Sequence, residues 1–141
     1  MKLLATILST IFHPLLMPTY GIAIALYTSY MRVFGDRLLG IIVIGVLLTT
    51  CILPSLGIFN RYWKISAHMV AAGAMIVLVF LMSIYRLMLT PYIFPLQITI
   101  ILLAGLIGSS RILLNRHTIG QVGAGFALGA MCCGFLFFLF I

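Results

Sequence analysis

The chain has 141 residues, of which 65% are hydrophobic and 6% charged, with a mean hydropathy of +1.34. So little polar surface excludes a water-soluble globule and defines an integral membrane protein. Eight Lys and Arg against one acidic residue give a formal charge of +7. The cations fall one or two at a time between apolar runs, as loops and interfacial anchors do, so anionic lipid is the expected partner and nucleic acid is not.

The elements predicted in chain order are all helical. The opening "MKLLATILSTIF" has the charged start and short apolar core of a signal peptide, but no small-residue cleavage site follows, so it is expected to be retained. The first apolar stretch, about Leu3 to Tyr30, is interrupted by His13, Pro14 and Pro18, which predict a broken or interfacial first half. Tyr27 and Tyr30 form an aromatic belt at its end, and "MRVFGDR" is a polar loop with the only carboxylate, Asp36. A second span is expected over about Leu38 to Phe59, bent near Pro54 and closed by "NRYWK". A third runs from near Ile65 to near Tyr85, and "LTPYIFP" turns the chain. A fourth covers about Leu96 to Ser109, and a fifth about Thr118 to Ile141. Residues 1–141 thus read as one multi-pass bundle of about five transmembrane helices, with no internal repeat. Ala67 with Ala71, Ala104 with Gly108, and Gly125 with Gly129 have the spacing that lets membrane helices approach closely, within the chain or in a homo-oligomer. Cys51, Cys132 and Cys133 sit in apolar runs and are expected as buried small hydrophobes.

Five crossings place the loops after the second and fourth spans on one side of the membrane. That side receives Arg61, Lys64, Ser66, His68, Ser110, Arg111, Arg116 and His117, while Asp36 falls on the other. Cations and imidazoles gathered without a carboxylate suit an anion, phosphate above all. Thr118 followed three residues later by Gln121 reads as a capping box opening the last helix, and Ser66 as a cap for the third. His117 and His68 then stand at helix N-termini, where the dipole favours a bound phosphate and an imidazole can attack phosphorus or protonate a leaving oxygen. A loop obeying the positive-inside rule accounts for the same cations without any ligand. His13, beside Pro14, could face the same site, but reads first as a residue of the helix break.

"SRILLNRHTIGQ" resembles the last signature of the type 2 phosphatidic acid phosphatase family, in which Ser-Arg is followed after five residues by His and after three more by Asp. "ISAH" is similar to that family's Pro-Ser-Gly-His, and the stretches "FHPLLMPTYG" and "WKISAHMV" resemble small bacterial membrane proteins placed in or near it. The likeness covers about residues 60–130. It implies a metal-free and cofactor-free lipid or polyprenyl phosphate phosphatase of the bacterial inner membrane, with a phosphohistidine intermediate at His117 and His68 as general acid. Arg111 and the Ser66 hydroxyl would hold phosphate oxygens, with Ser110, Lys64 and Arg61 beside them. The family's first signature, a Lys and then an Arg-Pro pair upstream, is absent, and Ile65, Ala67 and Gln121 replace its Pro, Gly and Asp. Gln121 can accept a hydrogen bond from the His117 ring, since positions i and i+4 share a helix face, but it brings no charge. In the serine-protease triad an equivalent loss costs about ten-thousandfold in rate. The other function open to these residues is a non-catalytic module that binds anionic lipid or serves assembly on the same fold. A proton relay or cation transporter is disfavoured because no span contains a carboxylate.

Orientation follows from charge. The site side carries Lys2, Arg61, Lys64, Arg111 and Arg116, and the other side Arg32, Arg37 and Arg86. Once the cations that serve the ligand are set aside, the remaining bias puts the Arg32 to Arg37 loop in the cytoplasm and the site outside. Single cysteines at Asn115 and Gly35 in a cysteine-free background test this: an impermeant thiol reagent on intact cells is expected to label the first and spare the second. The reverse pattern would place the site in the cytoplasm.

Overall fold

The computed structural model of the protein describes residues 2–13, 19–20, 23, 63–85 and 91–140, and these form four helices. The expected second span, Cys51 and Arg61 lie outside the described residues, as does most of the latter half of the first stretch.

Helix α1, Lys2–Ile11, has ten residues and so rises only about 15 Å. That is half of a bilayer core, which agrees with the broken first segment expected from the His-Pro pair. A residue before proline is driven out of the helical region, and α1 stops just ahead of His13. Its end is fastened by Tyr20, whose hydroxyl donates to the Ile11 carbonyl at 3.2 Å while its ring meets Phe12 edge-on at 6.4 Å.

Three further helices are long and apolar enough to cross a bilayer: α2, Ala67–Ile84; α3, Ile93–Leu113; and α4, Ile119–Phe140. Their 18 to 22 residues correspond to about 27–33 Å. Two bounds differ from the sequence reading. α3 starts ahead of Pro95, because the amide that proline lacks belongs to the first turn, where no intrahelical acceptor exists. α3 also continues through Ser110 and Arg111, which were expected in the following loop.

Hydroxyls within the spans donate backward to carbonyls of their own helices, as a medium without water requires: Thr99 to Pro95 and Ser109 to Gly105, both at 2.8 Å. The main interface joins α2 to α4, and glycine makes it. A Cβ at Gly129 would meet the Val70 carbonyl, one at Gly73 the Phe126 carbonyl, and one at Gly125 would lie 2.8 Å from the Ser66 carbonyl. The two backbones therefore touch along the Gly125 and Gly129 seam read from the sequence. Cys133 is fully buried in this seam, beside Val79, Met82 and Phe137. α3 lies against α2 through Ala104 and Gly108, the latter with room for no more than the Met69 thioether. α1 leans on α3. Around Ile65, Met69, Val70 and Ile107 a second apolar cluster, joined by Phe12 and Tyr20, underlies the end of the bundle where α2 begins, α3 ends and α4 begins.

Gly129→Val is expected to destabilise the protein by about 1–3 kcal/mol, because the branched side chain must push the Val70 backbone away. Gly134→Ala, where an added Cβ meets nothing within 4 Å, is expected to be neutral or stabilising by up to about 1 kcal/mol. Thermal unfolding of the two variants in detergent measures the contrast, and equal melting would mean that the seam does not hold the bundle together.

Candidate functional site

The turn between α3 and α4 is built by residue type. Asn115 has φ of +52°, a left-handed conformation that asparagine tolerates better than most residues. Its amide donates to the Ile112 carbonyl at 2.9 Å, and the Arg116 amide to the Arg111 carbonyl at 3.1 Å. Those two bonds close α3 as a Schellman motif. Two residues later α4 opens with the capping box read from the sequence. The Thr118 amide donates to Gln121 Oε1 at 3.0 Å, and the Gln121 amide to Thr118 Oγ1 at 3.4 Å. A stop and a start so close together leave Arg116 and His117 no freedom to drift from the end of the bundle.

The segment ahead of α2 docks onto this turn. His117 Nδ1 lies 3.1 Å from the Lys64 carbonyl, the Ser66 amide donates to the Gln121 carbonyl at 3.5 Å, and Trp63 stacks its six-membered ring over Gly120. The two loops expected on one side of the membrane are thus in contact. A carbonyl can only accept, so the bond to Lys64 assigns the proton to Nδ1 and leaves the lone pair on Nε2.

Burial holds the His117 imidazole below its ordinary value of 6.5; the bond to the Lys64 carbonyl pulls it up, the Arg111 charge pushes it down, and the Gln121 side chain and Lys64 charge add smaller opposing pulls. The ring is therefore neutral at physiological pH and stands close to two cations. Lys64 and Arg116 are exposed, and Arg111 is half-buried at the last turn of α3.

Ser66 occupies the N-cap position of α2, and its carbonyl accepts from the Met69 and Val70 amides at 3.0 and 3.1 Å. Its hydroxyl does not cap the helix as expected. It is completely buried, with no hydrogen-bond partner among the described residues. Ser110 is buried too, but its hydroxyl is used within α3, donating to the Ile107 carbonyl at 2.7 Å. His68, in the first turn of α2, is buried and meets His13 edge-on, with ring centroids 6.2 Å apart.

Lys64, Ser66, Arg111, His117 and Gln121 gather around the α3 to α4 turn, and the His68 ring, in the first turn of α2, meets that of His13 from the end of α1. One participant escaped the sequence reading: the Lys64 carbonyl is a backbone group with no signature in residue type. His13, read first as part of a helix break and second as a residue able to face the site, meets the His68 ring. No family model, curated protein or solved structure matches the chain.

Gln121→Glu keeps an oxygen in reach of the Thr118 amide and adds a negative charge beside the imidazole, so the His117 pKa is expected to rise. Titration of the histidine ring nitrogens by NMR reads this directly. Gln121→Ala, which removes half of the capping box, is expected to cost about 1 kcal/mol of stability. An unmoved His117 titration in Gln121→Glu would mean that the side chain at 121 serves the cap alone.

Proposed function

We infer that the protein is a membrane phosphatase of lipid or polyprenyl phosphates, with a phosphate site where α2 and α4 begin. The buried, unpartnered Ser66 hydroxyl is the observation that carries this reading. Leaving such a group without a partner costs about 1–3 kcal/mol, a cost that a bound anion accepting its proton would offset. The charges of Arg111 and Lys64 reach His117 at the same end of the bundle, and Ser66 itself stands at the N-cap of α2, all of the sign that a phosphate needs. Ser110, its hydroxyl already committed, and Arg61 complete the set of residues assigned to the ligand.

In the proposed reaction Nε2 of neutral His117 attacks phosphorus while the bond from phosphorus to the lipid oxygen breaks. His68, in its protonated form, gives a proton to that leaving oxygen. Water, giving a proton to the now neutral His68, then cleaves the bond between phosphorus and Nε2, which releases inorganic phosphate and restores both histidines. The Lys64 carbonyl orients the nucleophile, the task of a carboxylate in the family that the sequence resembles. The site opens on the extracytoplasmic face of a five-span protein of the inner membrane.

One observation favours a second reading, in which anionic lipid is bound without turnover. The acceptors that face His117, the Lys64 carbonyl and the Gln121 side chain, are both neutral and cannot stabilise an imidazolium.

Purified protein given dipalmitoyl phosphatidic acid is expected to release phosphate, and His117→Ala to abolish release with helicity unchanged. Since the neutral ring is the nucleophile and its pKa is lowered, the acid limb of the rate profile is expected to fall below pH 6.5. Ser66→Ala is expected to weaken phosphate binding while leaving the protein as stable or more stable, because an unsatisfied buried group is removed. Binding without release would select the second reading, and undiminished release from His117→Ala would end the catalytic one.

A further inference from the structure

The general acid assigned to His68 has a neighbour that the reaction above does not use. His68 is buried in the first turn of α2, and the exposed ring of His13, just past the end of α1, meets it edge to face, with centroids 6.2 Å apart and planes at 66°. The two rings come from separate elements.

Their approach is built from both backbones. Phe12, the chain neighbour of His13, packs into the apolar cluster that contains Met69, the chain neighbour of His68. Tyr20 clamps the same end of α1 through its bond to the Ile11 carbonyl and its ring contact with Phe12. Pro14 follows in sequence and keeps His13 out of helical geometry. Breaking the helix requires only that proline, so the break does not account for an imidazole at 13.

The use of the contact follows from what a general acid needs. A proton is delivered only over hydrogen-bond reach, so the ring that carries it must face the leaving oxygen. The χ2 torsion of histidine has broad, roughly two-fold minima, and the ring turns about it unless a neighbour stops it. In the serine-protease triad a carboxylate orients the catalytic imidazole, and among the described residues there is no carboxylate. A second ring set against the first at a steep angle limits the same rotation by contact.

We propose that His13 is a positioning residue for His68: its ring fixes the plane in which the general acid presents its proton to the leaving oxygen. The proposal rests on the phosphatase reading given above. It adds a residue from outside the stretch that carries the family resemblance, and it makes the end of α1 part of the working site.

The full-length protein in phosphatidylcholine nanodiscs is assayed on two phosphate monoesters that differ in their need for an acid. Dipalmitoyl phosphatidic acid has a poor alkoxide leaving group, whereas the phenolate of 4-nitrophenyl phosphate leaves unaided. His13→Ala is expected to lower kcat on phosphatidic acid about tenfold or more with KM unchanged, a share of the roughly 10²–10⁴-fold that a general acid supplies. On 4-nitrophenyl phosphate the loss is expected to be less than about twofold. His13→Phe restores a ring without a titratable nitrogen and is expected to recover most of the rate, while His13→Leu, with bulk but no ring, is not. If His13→Ala does not fold, the contrast between the Phe and Leu variants carries the same test. Equal loss on both esters would mean that His13 only holds α1 in place. Undiminished turnover of phosphatidic acid by His13→Ala would overturn the role and leave the phosphatase reading intact. Failure of His13→Phe together with revival of His13→Ala by added imidazole would overturn it in favour of proton transfer through His13. If the wild-type protein releases phosphate from neither ester, the phosphatase reading fails and the positioning role fails with it.

Discussion

The structure depends on one close approach, that of the α2 and α4 backbones. Glycines at 73, 125 and 129 let carbonyls of one helix reach the chain of the other, where any side chain would hold them apart. In lipid no hydrophobic force drives helices together, so contact area and short backbone distances must supply the attraction. The first turns of both helices are brought side by side as a result, and the Ser66 amide reaches the Gln121 carbonyl. The chemistry attributed to this end of the bundle needs groups from α2, the segment ahead of it and the α3 to α4 turn. The glycine seam, with the His117 to Lys64 and Ser66 to Gln121 bonds, holds these in a common frame.

Charge at the site is handled by backbone and amide groups. Among the described residues there is no carboxylate at all, because the chain's single acidic residue is Asp36. His117 is oriented by a carbonyl, and Gln121 spends its oxygen on a helix cap. Such an arrangement fixes a tautomer without neutralising a cation, so the net field at the site stays positive. Burial first, and the Arg111 and Lys64 charges after it, lower the His117 pKa.

The three spans α2, α3 and α4 were legible because their apolar runs are long and their interruptions are proline or charge. Gly125 with Gly129 and Thr118 with Gln121 were legible because each has a spacing with a single geometric meaning. The end of α3 was misplaced. Ser110 and Arg111 look like loop residues by polarity, yet a buried serine can satisfy itself on its own helix and an arginine can lie along one. The true signal was Asn115, the residue able to take a left-handed turn. Ser66 was read correctly in position and wrongly in its hydrogen bond, since residue type names a cap but cannot say whether the hydroxyl turns toward the amides. The Lys64 carbonyl could not have been foreseen, as every residue carries the same group.

The order of the helices along the chain has its own consequence. α2 finds its main partner in α4, although α3 is synthesised between them and has the smaller claim on either. While the protein is being made, the surface of α2 that will meet the glycines enters the membrane one helix ahead of its counterpart and must wait beside α3. The bundle end cannot be assembled until the α3 to α4 turn has been translated, so a nascent chain still lacking α4 carries the cations without the pocket that disciplines them. Biogenesis, rather than any later switch, sets the moment at which the site begins to exist.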